Sequence, residues 1–243
     1  MGGETFENTT ILSVSDYNNI CEEINDIGMI ENIDFAFPFR LKNKEKHNDI
    51  DIILSNTDKF IELFSKKYKI KEIKKIPLFE ERFGLYSQHI LTDKFIQIDL
   101  LKSYCVKSIE ISRLYYSYSF ANIFLKKLTS IVDRNLKFSY LGMLCTSNKF
   151  PIKMGVKFIQ IDKCTRLIVD CEYIFTILDL DLNKYIGGFE NEFELLDYFS
   201  QSKYFSQIKF RYNSNFKHDY NRLKPFANLV NSNLIQVENF VQN

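Results

Sequence analysis

At 243 residues, with 45% hydrophobic and 26% charged residues and a formal net charge of +1, the chain is long enough for one large domain or two modest ones with a sizeable core. The composition excludes a membrane-spanning protein, because no uninterrupted apolar run approaches the length a bilayer requires. It also excludes a disulfide frame or a zinc site: the five cysteines (Cys21, Cys105, Cys145, Cys164, Cys171) are odd in number and form no CxxC pair. The near-neutral total conceals an asymmetry. No Lys or Arg precedes Arg40, whereas eight acids do (Glu4, Glu7, Asp16, Glu22, Glu23, Asp26, Glu31 and Asp34), leaving 32 basic against 23 acidic residues in the rest of the chain. A basic body fits nucleotide or nucleic-acid binding. The acidic start lacks an apolar signal core, so the expectation is a soluble, cytoplasmic protein with reduced thiols and no membrane partner.

In chain order, residues 16–31 predict a helix capped by Asp16. Residues 33–38 form a short strand, and Asp49–Leu54 an apolar one. Asn56-Thr57-Asp58 caps a helix running to Lys67, with Phe60, Ile61 and Phe64 on one face. Three strand-like segments follow, at 68–76, 82–91 and 94–101, the last two joined by a turn at Leu91-Thr92-Asp93-Lys94. Residues 1–105 therefore predict a small mixed sheet with helices on one face. Beyond it, residues 109–132 are apolar at helical spacing, with helical character ending near 136–142. Residues 157–161 and 166–169 read as a strand pair, and helices follow at 171–178, 190–200 and 221–232, the last interrupted early by Pro225. Residues 106–243 are expected to be a mainly helical second domain, giving an α+β chain.

The chemistry concentrates in two runs, His47-Asn48-Asp49-Ile50-Asp51-Ile52-Ile53-Leu54 and Phe95-Ile96-Gln97-Ile98-Asp99-Leu100-Leu101. Strand side chains alternate faces, so Asp49 and Asp51 share one side, and a neighbouring strand bearing Asp99 adds a third carboxylate. Clustered carboxylates repel unless a proton or cation lies between them, and hard divalent cations prefer such oxygen ligands.

The pattern D-h-D-h-h, a helix, then h-x-h-D-h on a later antiparallel strand resembles the nucleotidyltransferase superfamily of DNA polymerase β. The runs at 115–122, 136–142, 187–194, 199–205 and 220–222 are similar to nucleotidyltransferase-like proteins of large bacteriophages and giant DNA viruses, which extends the resemblance over residues 30–230. It implies a polymerase β-type palm that uses Mg²⁺ (or Mn²⁺) and an NTP, ATP included. Asp49 and Asp51 would hold both metal ions, and Asp99 would accept the proton of the attacking hydroxyl or bind the catalytic metal. Family members place a Gly-Gly or Gly-Ser pair about ten residues before the first acid to cradle the triphosphate; here Phe35-Ala36-Phe37-Pro38-Phe39-Arg40 holds no glycine, and Arg40 and Lys42 are the charges expected to serve instead.

The implied activity is transfer of a nucleoside monophosphate to an acceptor hydroxyl. An RNA 3′ end is the favoured acceptor, and a protein side chain or small molecule remains open, as do the oligomeric state and, for a viral protein, location in the host cytoplasm. Two alternatives stand beside it: a catalytically inactive binding or structural subunit, supported by the missing glycines, and a two-metal nuclease on another fold. The lysines at 66, 67, 69, 71, 74 and 75 read as the solvent face of an edge strand, or as a phosphate-contacting stripe. His47 reads as an exposed loop residue, or as a phosphate or base contact. His89 and His218 have no partner that spacing identifies. Tyr115, Tyr116, Tyr118 and Phe120 read as core or as base-stacking groups, and Gly187-Gly188 as a turn before a helix.

Overall fold

The computed structural model describes residues 6–30, 32–75, 82–89, 93–103, 106–118 and 121–208. The expected turn centre at Leu91-Thr92, the helix at 221–232, His218, Cys105 and Phe120 lie outside the described residues. The chain is mixed α+β and divides into two compact units, Met1–Pro38 with Asn43–Arg113, and Phe39–Lys42 with Leu114–Asn243.

The first unit opens with β1 (Leu12–Ser13) and α1 (Val14–Ile30), then β2 (Phe35–Ala36), β3 (Lys46–His47), β4 (Ile50–Leu54), α2 (Thr57–Phe64), β5 (Tyr68–Lys75), β6 (Arg82–His89) and β7 (Phe95–Lys102). The helix α3 (Val106–Tyr116) follows. Ser13, not Asp16, caps α1: the Asp16 amide donates to Ser13 Oγ at 3.1 Å while Ser13 Oγ donates to the Asp16 carboxylate at 2.9 Å. That reciprocal pair starts the helix earlier than Asp16 alone would. Asn56 caps α2 as expected, accepting from the Lys59 amide at 3.0 Å.

Five strands lie in the order β2-β4-β7-β6-β5, with β1 and β3 forming a separate pair. β4 and β7 are parallel and every other neighbouring pair in the sheet is antiparallel. The Asp99 strand was expected to be antiparallel. It reverses relative to β6, but α2 carries the chain across the sheet and the two reversals from β5 to β7 restore the direction of β4. The strand period does the rest. Ile50, Ile52 and Leu54 of β4 and Ile96, Ile98 and Leu100 of β7 enter one buried cluster with Tyr17, Ile20 and Ile24 of α1 and Phe60 and Phe64 of α2. The intervening residues, Asp51 and Asp99 among them, face the other way.

In the second unit come α4 (Ala121–Val132), β8 (Leu136–Ser139), β9 (Gly142–Cys145), β10 (Phe158–Gln160), β11 (Arg166–Ile168), α5 (Cys171–Ile177), α6 (Leu182–Gly187) and α7 (Glu192–Ser200). The expected 109–132 helix is broken between α3 and α4, where Tyr118 adopts a φ of 48°. Its buried hydroxyl donates to the Tyr185 carbonyl at 2.9 Å, and Tyr185 and Phe189 meet its ring edge-on. The helices are joined by a four-stranded antiparallel sheet, order β10-β11-β9-β8, of which only the β10–β11 pair was expected. Residues 136–139 are a strand because Leu136 and Phe138 are buried while Lys137 is exposed, a period of two and not of 3.6.

Gly142 turns this hairpin at a φ of +138°, and a Cβ there would lie 2.6 Å from the Ile168 carbonyl oxygen. Gly142→Ala is therefore expected to destabilise the chain by about 1–3 kcal/mol in urea unfolding. The unit's aromatic richness is a core of Phe124, Phe175, Tyr185, Phe189, Tyr198 and Phe199. Its tyrosine hydroxyls are satisfied within it, Tyr185 donating to the Leu114 carbonyl and Tyr198 to the Asp181 carbonyl, both at 3.0 Å. Burial raises both phenols above their ordinary value.

Candidate metal centre

The β1–β3 pair sets the approach to the site. Leu12 pairs with His47 and Ser13 with Lys46, so the chain enters Asn48-Asp49 from a fixed direction before β4 begins. His47 is buried there, its ring stacked on Tyr17 at a 3.9 Å centroid distance, and so belongs to the packing of the unit. It is not the exposed loop residue that its sequence surroundings predict, because β1 closes over it.

In β4 and β7, Asp51 lies directly opposite Asp99. One carboxylate oxygen from each of Asp49, Asp51 and Asp99 comes within 4.8 Å of the other two. Asp49 and Asp99 are buried and Asp51 is half-buried. The three acids singled out in the sequence thus converge on one face of one sheet.

Buried ionised groups are tolerated where they are paired, hydrogen-bonded or bound to a cation. Three acids this close repel one another when ionised, and a divalent ion among them removes that repulsion. The donor set is all oxygen and anionic, which suits Mg²⁺ or Mn²⁺ and not a thiolate- or imidazole-seeking metal. The half-exposed Asp51 leaves one side of the cluster open, as a cation that also binds a substrate requires.

Sequence reasoning missed a supporting residue. Gln97, two residues before Asp99 and on the same strand face, donates from Nε2 to Asp99 Oδ1 at 2.8 Å and is itself buried. Its amide fixes one carboxylate oxygen and aims the other. The i, i+2 spacing within Gln97-Ile98-Asp99 was the available signal. Partners of this kind hold metal ligands in place, so Gln97→Leu is expected to weaken Mn²⁺ binding about 10–100-fold by titration calorimetry. Unchanged affinity would remove Gln97 from the site.

The residues expected to bind phosphate fall in the other compact unit of the chain. Arg40 and Lys42 belong to the second unit. Lys42 pairs with Glu190 at 3.0 Å and its amide donates to the Phe189 carbonyl at 2.9 Å. The first unit has an arginine of its own that spacing did not mark. Arg113 lines a cavity of about 510 Å³ together with Phe35 and Phe37 along β2, and its Nε donates to the Phe37 carbonyl at 2.9 Å.

Lys69, Lys71, Lys74 and Lys75 of the lysine run lie on β5, an edge of the five-stranded sheet among the described residues, with Lys66 and Lys67 just before it, and a register shift between Ile70 and Glu72 breaks the alternation. Lys66 pairs with Glu62, Lys67 with Glu23 and Lys74 with Glu72. Tyr115 and Tyr116 are half-buried and Tyr118 is core, while Gly188, at a φ of +86°, ends α6 ahead of α7. Among the described residues, Cys21, Cys145, Cys164 and Cys171 form no disulfide and no helix is long and apolar enough to cross a membrane. A scan against protein-family models finds no match for this chain, and neither does a search of curated proteins.

Proposed function

We propose that the chain is a metal-dependent nucleotidyltransferase that moves a nucleoside monophosphate from an NTP to an acceptor hydroxyl. The observation that carries this reading is the convergence of Asp49, Asp51 and Asp99 within 4.8 Å on adjacent strands. In this reading the five-stranded sheet serves as a polymerase β-type palm. Asp49 and Asp51 hold Mg²⁺ or Mn²⁺, and Asp99 either shares the ion or takes the proton of the attacking hydroxyl as its oxygen approaches the α-phosphorus. Bound metal would supply charge neutralisation for the in-line displacement of pyrophosphate. Gln97 keeps Asp99 oriented. RNA is the acceptor that the basic composition favours, in the cytoplasm of the cell or host.

A second reading, an inactive binding or structural subunit, draws on a different observation. The stretch 35–40 has no glycine to let phosphates approach the backbone, and Lys42 is engaged by Glu190. Incubation with each labelled NTP, Mg²⁺ or Mn²⁺ and pooled RNA separates the two. Metal-dependent label on RNA or on the protein, lost in Asp49→Asn, supports the enzyme. Saturable NTP binding with no transfer to RNA, protein or small hydroxyl acceptors supports the inactive subunit.

A further inference from the structure

Among the described residues, the four-stranded sheet of the second unit ends at β10, with no strand on its outer side. Residues 157–164 are all exposed. Phe158 is 46% exposed, Ile159 41% and Ile161 55%, and Met154 is fully exposed just before them. These are large apolar side chains on both faces of a single strand, where a soluble protein ordinarily places charges.

The hydrogen-bond phase of the strand is decisive. Lys157 accepts from the Val169 amide at 3.0 Å and the Ile161 amide donates to the Thr165 carbonyl at 3.0 Å, while Ile159 stands opposite Leu167 in the same register. In an antiparallel ladder the bonded residues alternate, so 157, 159 and 161 turn their amides and carbonyls toward β11. Phe158 and Gln160 turn theirs outward, at an edge that no other strand occupies among the described residues. Side chains extend the same logic. Phe158 stands beside Ile168, which stands beside Met143, both fully buried, so the covered face of the sheet runs outward to an uncovered phenylalanine.

Charge selects the occupant. Exposed Lys149, Lys153, Lys157 and Lys163 flank the strand. The one acid of the hairpin, Asp162, has Oδ1 taken up by the Cys164 and Thr165 amides at 2.7 and 2.8 Å. Pairing β10 with the same strand of a second copy would bring these lysine sets together, which like-charge repulsion opposes. We infer that β10 is a docking edge that adds an extended, acidic segment of a partner protein as a fifth strand. Main-chain bonds to Phe158 and Gln160 would hold the segment, apolar contacts with Phe158, Ile159 and Ile161 would secure it, and the lysines would select its charge. This site is independent of the nucleotidyltransferase reading.

The test uses the full chain and a fluorescein-labelled eight-residue peptide of alternating valine and glutamate, followed by anisotropy at low salt. The expected result is saturable binding that weakens about tenfold or more with added salt, with lysine in place of glutamate, and with methylated backbone nitrogens on the peptide. Phe158→Glu, at an exposed position where the thermal unfolding curve should stay unchanged, should lose binding as well. Equal binding of the lysine or the methylated peptide would overturn the proposal, as would no binding of the glutamate peptide. Stronger binding of oligouridylate would reassign the strip to nucleic acid, and concentration-dependent dimerisation abolished by Phe158→Glu would reassign it to a second copy of this chain.

Discussion

Converting Asp51 and Asp99 together to asparagine is expected to abolish the proposed nucleotidyl transfer and, in metal-free buffer, to raise the melting temperature. The two carboxylates face each other across a parallel strand pair with Asp49 beside them, so the metal-free cluster carries mutual repulsion that the amides relieve. At an effective dielectric of about 20, and allowing for the partial exposure of Asp51, the relief is on the order of 1–3 kcal/mol. The opposite sign is expected with metal present. Binding to the native state stabilises by mass action, about 2.7 kcal/mol at a hundred times the dissociation constant. Mn²⁺ should therefore raise the melting temperature of the parent chain and leave the double variant unmoved. A variant that is less stable in chelator and still shifts with Mn²⁺ would show that the ion binds elsewhere. Activity alone is a weaker readout, since a misfolded sheet would also be inactive.

The acids were legible because strand periodicity is local. Ile50, Ile52 and Leu54 against Asp49 and Asp51, and Ile96, Ile98 and Leu100 against Asp99, sort themselves into two faces by spacing alone. That the two strands are neighbours, parallel and in a register setting Asp51 against Asp99 depends on the chain path through α2, β5 and β6, and no residue within either run encodes it. Local caps were legible to the same degree: Asn56 held its place, whereas the α1 cap moved to Ser13 because the Ser13–Asp16 pair satisfies two groups where Asp16 alone satisfies one.

Tertiary context overrode pattern at two points. Tyr118 breaks an otherwise helical apolar run so that its hydroxyl can reach the Tyr185 carbonyl. His47 vanishes beneath β1, a strand too short for periodicity to register.

Glu23→Ala is expected to cost about 3–4 kcal/mol near neutrality. The Glu23 carboxylate accepts from the Tyr68 hydroxyl at 2.6 Å, lies 3.1 Å from His89 Nε2 and 3.4 Å from Lys67 Nζ, and so ties α1 to β5 and β6. Tyr68 is fully buried, stacked on Phe64 at 4.1 Å and met edge-on by His89. Truncating Glu23 strands that hydroxyl away from water, and much of the cost is its own. Lys67 contributes little, being 41% exposed, so Lys67→Met should cost under about 1 kcal/mol. Burial alone would raise the Glu23 carboxyl, but the bonds from Tyr68 and His89 and the nearby charges outweigh it and hold the group below its ordinary value of 4.5. The folded carboxyl releases its proton more readily than the unfolded one. Its contribution is therefore complete above the ordinary value and disappears as pH falls through the lower, folded one. Urea titrations of the parent and Glu23→Gln, which cannot ionise, should diverge near neutrality and converge in acid. Curves that keep a constant separation down through that window would show that the glutamate acts by shape and hydrogen bonding, with its charge irrelevant.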